Sequence, residues 1–266
     1  MPDNNNRVLL NISSDGIAQL TLNRPEVHNA FDDNVIEQLI TQLENVASND
    51  DVRVLILRSN GKNFSAGADL AWMKRMAKNS HQENLEDAAR LAKLMELLND
   101  LNKPTIGLVQ GAAYGGAVGL AACCDIVIAS EEAQFCLSEV KIGLIPAVIS
   151  PYVVRAIGER QSRRYFLTAE AFPAATAQDF GLVHEVVASP ELFDDACARF
   201  TRTLSKNSPQ GMRAAKELIF AVSHKVIEQT VIHDTAKRIA DIRVSNEGQE
   251  GLSAFLEKRK PNWIQE

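Results

Sequence analysis

The feature that most constrains this chain is an alternation of short β-branched runs with stretches of helical periodicity, sustained through its first two-thirds. Arg7–Ile12 and Ile17–Leu22 are apolar runs split by Ser13-Ser-Asp-Gly16, a β-hairpin signal. Asp32 or Asp33 then caps a helix whose apolar stripe is Val35, Ile36, Leu39, Ile40, Leu43, Val46 and Ala47. Val52–Leu57 reads as a buried strand, followed by a turn of small residues, Asn63-Phe-Ser-Ala-Gly-Ala-Asp69. Helices are expected over Leu70–Ala77 and Glu83–Leu101. A strand over Thr105–Val109 comes next, then a second small-residue turn, a helix over Ala117–Ala122 and a strand over Ile126–Ala129. Strands that alternate with helices imply βαβ units and a mostly parallel, buried sheet. From about Pro190 the chain reads only as helices, Pro209–Ala221 and Lys225–Ser245 being amphipathic. The expected division is an α/β core over residues 1–189 and a helical region over 190–266, suited to oligomerisation or to covering a site.

Composition narrows the function. The net charge of −6 among 266 residues lacks the basic footprint of a nucleic-acid binder. Cys123, Cys124, Cys136 and Cys197 show no paired CxxC spacing and read as reduced, buried thiols. The polar Met1-Pro-Asp-Asn-Asn-Asn6 has no apolar signal core, and no apolar run approaches membrane-spanning length. A cytoplasmic protein without nucleic-acid or membrane partners is therefore expected.

Two segments share one logic. Ser65-Ala-Gly-Ala-Asp69 and Ala113-Tyr-Gly-Gly-Ala117 each carry a buried strand through tiny residues into a helix. Such turns admit a ligand close to the backbone and present unpaired N–H groups. Two N–H groups aimed at one oxygen would stabilise an enolate or thioester oxyanion. One such turn alone is equally consistent with close helix–sheet packing.

The pair has company. Asn63-Phe-Ser-Ala-Gly-Ala-Asp-Leu70 resembles the CoA-thioester segment of the crotonase (enoyl-CoA hydratase/isomerase) superfamily. Gln110–Ile126 resembles its second oxyanion segment, and Ala133–Pro146 the stretch that carries its second catalytic glutamate. Leu20–Pro25 with Asn29-Ala30 is similar to the opening hairpin, and Asn246–Pro261 to the C-terminal signature. The likeness spans about Val8 to Trp263, in order. It implies a ββα spiral core with a C-terminal helical region and no cofactor beyond the coenzyme A of the substrate. It also implies a homotrimer or homohexamer. By resemblance the oxyanion donors are the N–H groups of Ala68 and Gly116; Ala66, Ala68, Asp69 and Leu70 fall where the family grips the CoA adenine and pantetheine, and Gly116 also contacts the substrate. Glu139 takes the place of the general acid/base. Alone, a glutamate in Ser-Glu-Val-Lys reads as a solvated charge. Near an enolised thioester it could shuttle a proton, provided burial raises its pKa. Lys258 could meet CoA phosphates or simply be a solvated helix end.

Two departures stand out. The helix position of the other hydratase glutamate is Gly119, and the usual glycine-rich loop after Pro146 is replaced by Ala147-Val-Ile-Ser150. If Gly119 vacates space, a substrate's own carboxylate could fill it. The whole pattern looks most like the methylglutaconyl-CoA hydratases within the superfamily, which implies water addition to a branched or carboxylated enoyl-CoA. A Δ3,Δ2-enoyl-CoA isomerase, which needs only one base, is the alternative. A non-catalytic acyl-CoA-binding or RNA-associated protein is the third reading. Trp72, Met73 and Met76 read as acyl-pocket wall or core, Tyr114 as core, His81 as solvated, His28 as incidental and Asp125 as structural.

Overall fold

The computed structural model describes residues 6–264, so the expectation for the extreme N-terminus, residues 1–5, lies outside the described residues. The described residues divide into two compact units, 6–101 with 105–198, and 102–104 with 199–264.

In chain order the first unit contains β1 (Val8–Ile12), β2 (Ile17–Leu22), α1 (Asp33–Ser48), β3 (Val54–Ser59), α2 (Leu70–Met76), α3 (His81–Asn99), β4 (Thr105–Val109), β5 (Ala112–Tyr114), α4 (Gly116–Cys123), β6 (Ile126–Ser130), β7 (Gln134–Cys136), α5 (Ser150–Thr168), β8 (Phe172–Pro173), α6 (Ala174–Asp179) and β9 (Glu185–Val187). β1 and β2 form the antiparallel hairpin, with Leu10 opposite Leu20. Every later pairing in this six-stranded sheet is parallel, in the order β1-β2-β3-β4-β6-β9. The central strands β3 and β4 are buried almost throughout, which is why their sequences run apolar without alternation. A second, three-stranded sheet pairs β5 with β7 and β7 with β8.

Local chemistry sets the boundaries. The Asp32 side chain caps α1 by accepting from the Val35 N–H at 2.9 Å, and Val35, Ile36, Leu39, Ile40, Leu43 and Val46 are the buried face. Ser80 and Glu83 form a reciprocal capping box at the start of α3. α3 therefore starts two residues before the expected Glu83, and His81 is exposed on its first turn. Asp125 accepts from the Thr105 N–H (2.8 Å) and hydroxyl (3.0 Å), a structural tie between β4 and the start of β6.

The unit division falls within α7 (Phe193–Leu204). The second unit carries α8 (Pro209–Val222), α9 (Gln229–Arg243) and α10 (Asn246–Leu256), packed on one another. The helix expected from Lys225 starts only at Gln229, because His224 turns the backbone left-handed (φ 60°) and Val226 and Ile227 are exposed. Trp263 closes this unit by donating from Nε1 to the Lys206 carbonyl at 3.1 Å.

Candidate active site

The two small-residue turns come together because the chain zips them to each other. The Phe64 N–H donates to the Gln110 carbonyl (2.7 Å), the Ser65 N–H to Ala112 (2.9 Å) and the Tyr114 N–H to Ser65 (3.0 Å). Buried Gln110 reinforces the junction by donating from Nε2 to the Ser59 and Gly61 carbonyls. Gly67 has φ +96°, and a Cβ there would sit 3.3 Å from the Tyr114 carbonyl, so glycine permits the close approach. Phe31 then clamps the first turn, its N–H donating to Gly67 (2.8 Å) and its carbonyl accepting from the Asp69 N–H (2.7 Å).

This pattern uses up the neighbouring donors and spares two. The Gly115 N–H is spent on the Cys136 carbonyl at 2.9 Å, and Gly116 opens α4. The N–H groups of Ala68 and Gly116 donate to no acceptor among the described residues. Both residues line one cavity of about 580 Å³.

Glu139 lines the same cavity from a 3₁₀ turn, Glu139–Ile142, that follows β7. Its Oε2 is buried with no hydrogen-bond partner among the described residues, and its Oε1 lies 3.2 Å from where a Cβ on Gly115 would stand. Burial pushes its pKa above the ordinary glutamate value, against a smaller opposing effect of its own backbone N–H. An acid whose pKa is raised in the folded state imposes a stability cost that grows as pH rises from the unfolded-state pKa and is complete above the raised pKa. Glu139→Gln is therefore expected to raise the thermal midpoint at neutral pH. The gain should shrink on acidification and vanish below the carboxyl's unfolded-state pKa, where both side chains are neutral. Melting both proteins across this range checks it; a midpoint lowered at neutral pH would contradict the burial argument.

Asp69 caps α2, accepting from the Ala71 (2.8 Å) and Trp72 (3.2 Å) N–H groups, and Arg24 holds its other oxygen at 3.2 Å. Partial burial disfavours its charge, but the Trp72, Ala71 and Arg24 contacts outweigh that and keep its pKa below the ordinary value. Its carboxylate thus braces the turn that presents Ala68. Ala66 and Leu70 line the cavity as exposed residues, Leu70 with 74% of its surface open. Trp72, Met73 and Met76 all line it as well, so they are wall as much as core. Tyr114 is not among the lining residues, and His28 meets Asn63 Nδ2 through its Nδ1 at 3.0 Å. Lys258 belongs to the second unit, in the left-handed turn (φ 58°) after α10, and is exposed.

The expectation of vacated space at Gly119 is corrected. A Cβ there would meet Ile149 Cγ2 at 2.3 Å and Met95 Sδ at 3.2 Å, so neighbouring side chains fill the gap. The cavity wall at that point is Ile149, which the sequence reading flagged only as part of an unusual loop. Phe31 and Ser138 also line the cavity and were missed; nothing in their local sequence marks them. Among the described residues no cluster of three or more His, Cys, Asp or Glu side chains could hold a metal, and no helix is long and apolar enough to cross a membrane.

An α/β fold that brings two unspent backbone donors and a buried carboxylate into one cavity defines the crotonase class of acyl-thioester enzymes. The sequence profile described as enoyl-CoA hydratase/isomerase matches residues 13–266. The chain belongs to this family, whose members act on acyl-CoA thioesters. It is 32% identical to the 2,3-dehydroadipyl-CoA hydratase of Escherichia coli K12, over 92% of this chain and 93% of that protein. It is 31% identical to the trans-2-decenoyl-[acyl-carrier-protein] isomerase of Streptococcus mutans, over 96% and 97%. The crystal structure of an enoyl-CoA hydratase from Shewanella pealeana ATCC 700345 matches with a TM-score of 0.95 at 51% identity, covering 98% of this chain and 97% of that one.

Proposed function

We propose that this protein adds water across the C2–C3 double bond of a branched enoyl-CoA bearing a distal carboxylate, with 3-methylglutaconyl-CoA as the representative substrate. The observation that carries the reading is the unpartnered carboxylate of Glu139 in the same cavity as the free N–H groups of Ala68 and Gly116. One carboxylate suffices for the whole addition. Glu139 takes a proton from water as the water oxygen bonds to C3, and the π electrons move onto the thioester oxygen. The two N–H groups hold that oxyanion. Glu139, now protonated, returns the same proton to C2 as the enolate collapses. The raised pKa suits a group that must both accept and give a proton. A pure binding protein has no use for a buried carboxylate without a partner, which costs stability.

For the distal carboxylate, Lys141 is the one cation among the described cavity-lining residues, and no acidic side chain pairs with it. The name of the Escherichia coli relative also describes a dicarboxylic acyl group. The isomerase reading is supported by Ile149 standing where a second acid/base would need room, and by the name of the streptococcal relative.

Turnover of 3-methylglutaconyl-CoA, crotonyl-CoA and 3-hexenoyl-CoA separates these readings. Hydration that favours the carboxylated substrate is expected. Lys141→Met should lower it by the ~2–5-fold that an exposed ion pair supplies, leaving crotonyl-CoA unaffected. Equal hydration of both enoyl-CoAs removes the carboxylated class. Double-bond migration in 3-hexenoyl-CoA with no hydration makes the protein an isomerase.

We also propose a homotrimer, or trimers paired into a hexamer. The second unit alone exposes Val226, Ile227, Val244, Phe255 and Leu256, each more than three-quarters open, more apolar surface than a solvated tail needs. Light scattering at micromolar concentration is expected to give three or six chains per particle; a monomer refutes it.

A further inference from the structure

The two departures of this sequence, Gly119 and the loop Ala147-Val-Ile-Ser150, are one structural change. Ile149 precedes α5, is only 2% exposed, and lines the cavity. Its Cγ2 and Cβ would stand 2.3 and 2.8 Å from a Cβ on Gly119. Any side chain at 119 therefore excludes Ile149 from its place, and Ile149 excludes any side chain at 119. Gly119 follows Gly116 by three residues on α4, which puts it about 4.5 Å along the helix axis and on nearly the same face. The branched end of Ile149 is thus set one helical turn beyond the free Gly116 N–H. Glu139 Oε1 stands 3.2 Å from where a Cβ would lie on Gly115, the residue just before that N–H.

An acyl thioester whose oxygen rests on the Gly116 and Ala68 N–H groups places C3 two bonds beyond the carbonyl carbon. The cavity that C3 must enter is lined by both the Glu139 carboxylate and the alkyl side chain of Ile149. Water is delivered from the carboxylate side. Position 119 itself offers no polar group, since it has no side chain and the space beside it is taken by Ile149 and the Met95 sulfur. Such a wall contributes nothing to a hydrogen on C3 and buries a methyl.

We propose that Ile149 is a specificity-determining residue that reads the substituent on C3, selecting acyl groups with a methyl branch there over unbranched ones. This deepens the hydratase reading and rests on it for the placement of the acyl group, but it concerns a different atom from the distal carboxylate. Discrimination by one methyl in an apolar pocket reaches roughly 10–200-fold.

Two measurements on the full chain test it. The first is hydration, as the kcat/KM ratio of 3-methylglutaconyl-CoA to glutaconyl-CoA, which differ only by the methyl. The second needs no turnover: the Kd ratio of isovaleryl-CoA to butyryl-CoA, saturated thioesters that also differ only by a C3 methyl. The expected result is a preference for the methylated member in both. Ile149→Ala should cut that preference by roughly tenfold, toward the low end of single-methyl discrimination, and Ile149→Val by less. The Kd for free CoA, which does not reach C3, should be unchanged in every variant and reports an intact fold. In addition, Gly119→Ala should lower the thermal midpoint in the natural background and be tolerated beside Ile149→Ala. A methyl preference that survives Ile149→Ala in a protein with normal CoA affinity overturns the proposal. If the natural protein hydrates neither enoyl-CoA but still binds isovaleryl-CoA in an Ile149-dependent way, the hydratase reading falls and the role of Ile149 stands.

Discussion

Glu139→Gln is expected to lower turnover by about 10²–10⁴-fold, the range for loss of a general acid/base. Glutamine keeps the size and shape of the side chain, so the cavity walls at Gly115 and along the 3₁₀ turn stay in place. What disappears is the capacity to hold a proton between its removal from water and its delivery to C2. Affinity for CoA and for saturated acyl-CoA should change little, because neither needs that capacity. The loss therefore appears in kcat and in kcat/KM alike, as it does for an interaction made only in the transition state. The natural enzyme should also show an acidic limb in kcat/KM. Glu139 must be ionised to accept the first proton, so activity falls as pH drops through its pKa, and burial places that limb above the ordinary glutamate range. Near-normal turnover by Glu139→Gln in steady-state kinetics would take Glu139 out of the mechanism. So would an acidic limb that persists unchanged in a weakly active variant. Paired with the expected gain in thermal midpoint, the result would show a residue kept at a cost to stability because the reaction needs it.

What could be read from the sequence was what is local. The hairpin β1–β2, the Asp32 cap and the α1 stripe rest on residues within a few positions of one another. The apolar runs of β3, β4 and β6 were legible because burial on both faces leaves no polar alternation. Val52 shows the limit: it is buried as the run suggested, but its N–H donates to the Asn49 carbonyl in a turn, and the strand starts at Val54. The second sheet was invisible. Its strands have two or three residues, and pairs such as Ala112 with Gln134 depend on contacts twenty or more positions apart. The candidate site divides in the same way. The small-residue turns announce themselves, and the likeness of Ala133–Pro146 to a family segment supplied Glu139. The meaning of Gly119 did not, because it is fixed by Ile149, thirty residues on, and only the folded chain brings the two together.

Gly116→Val is expected to cost roughly 10²–10³-fold in kcat, the cost of one oxyanion donor, whereas Gly116→Ala should stay within a few-fold of the natural enzyme. The backbone at Gly116 is helical and lies outside the left-handed region, so neither substitution strains it. A Cβ there would lie 3.6 Å from Cδ2 and Cε2 of Phe31, an ordinary contact, and alanine therefore fits. Valine adds two methyl groups around a Cβ already resting on that ring. One must press on Phe31, which also clamps the Ala68 turn through the Gly67 carbonyl and the Asp69 N–H; the other reaches over the N–H that should meet the thioester oxygen. Both oxyanion donors suffer, while helix propensity is no obstacle, since valine is no poorer a helix former than the glycine it replaces. Gly115 offers the contrasting case. Its φ of +55° and the Glu139 Oε1 at 3.2 Å make even alanine costly there, through backbone strain and through displacement of the carboxylate. Steady-state kinetics on the two Gly116 variants, with thermal melts to confirm folding, decide the matter. A folded, fully active Gly116→Val protein would mean that the Gly116 N–H does not hold the reacting oxygen. The oxyanion would then have to rest on Ala68 and some donor outside α4.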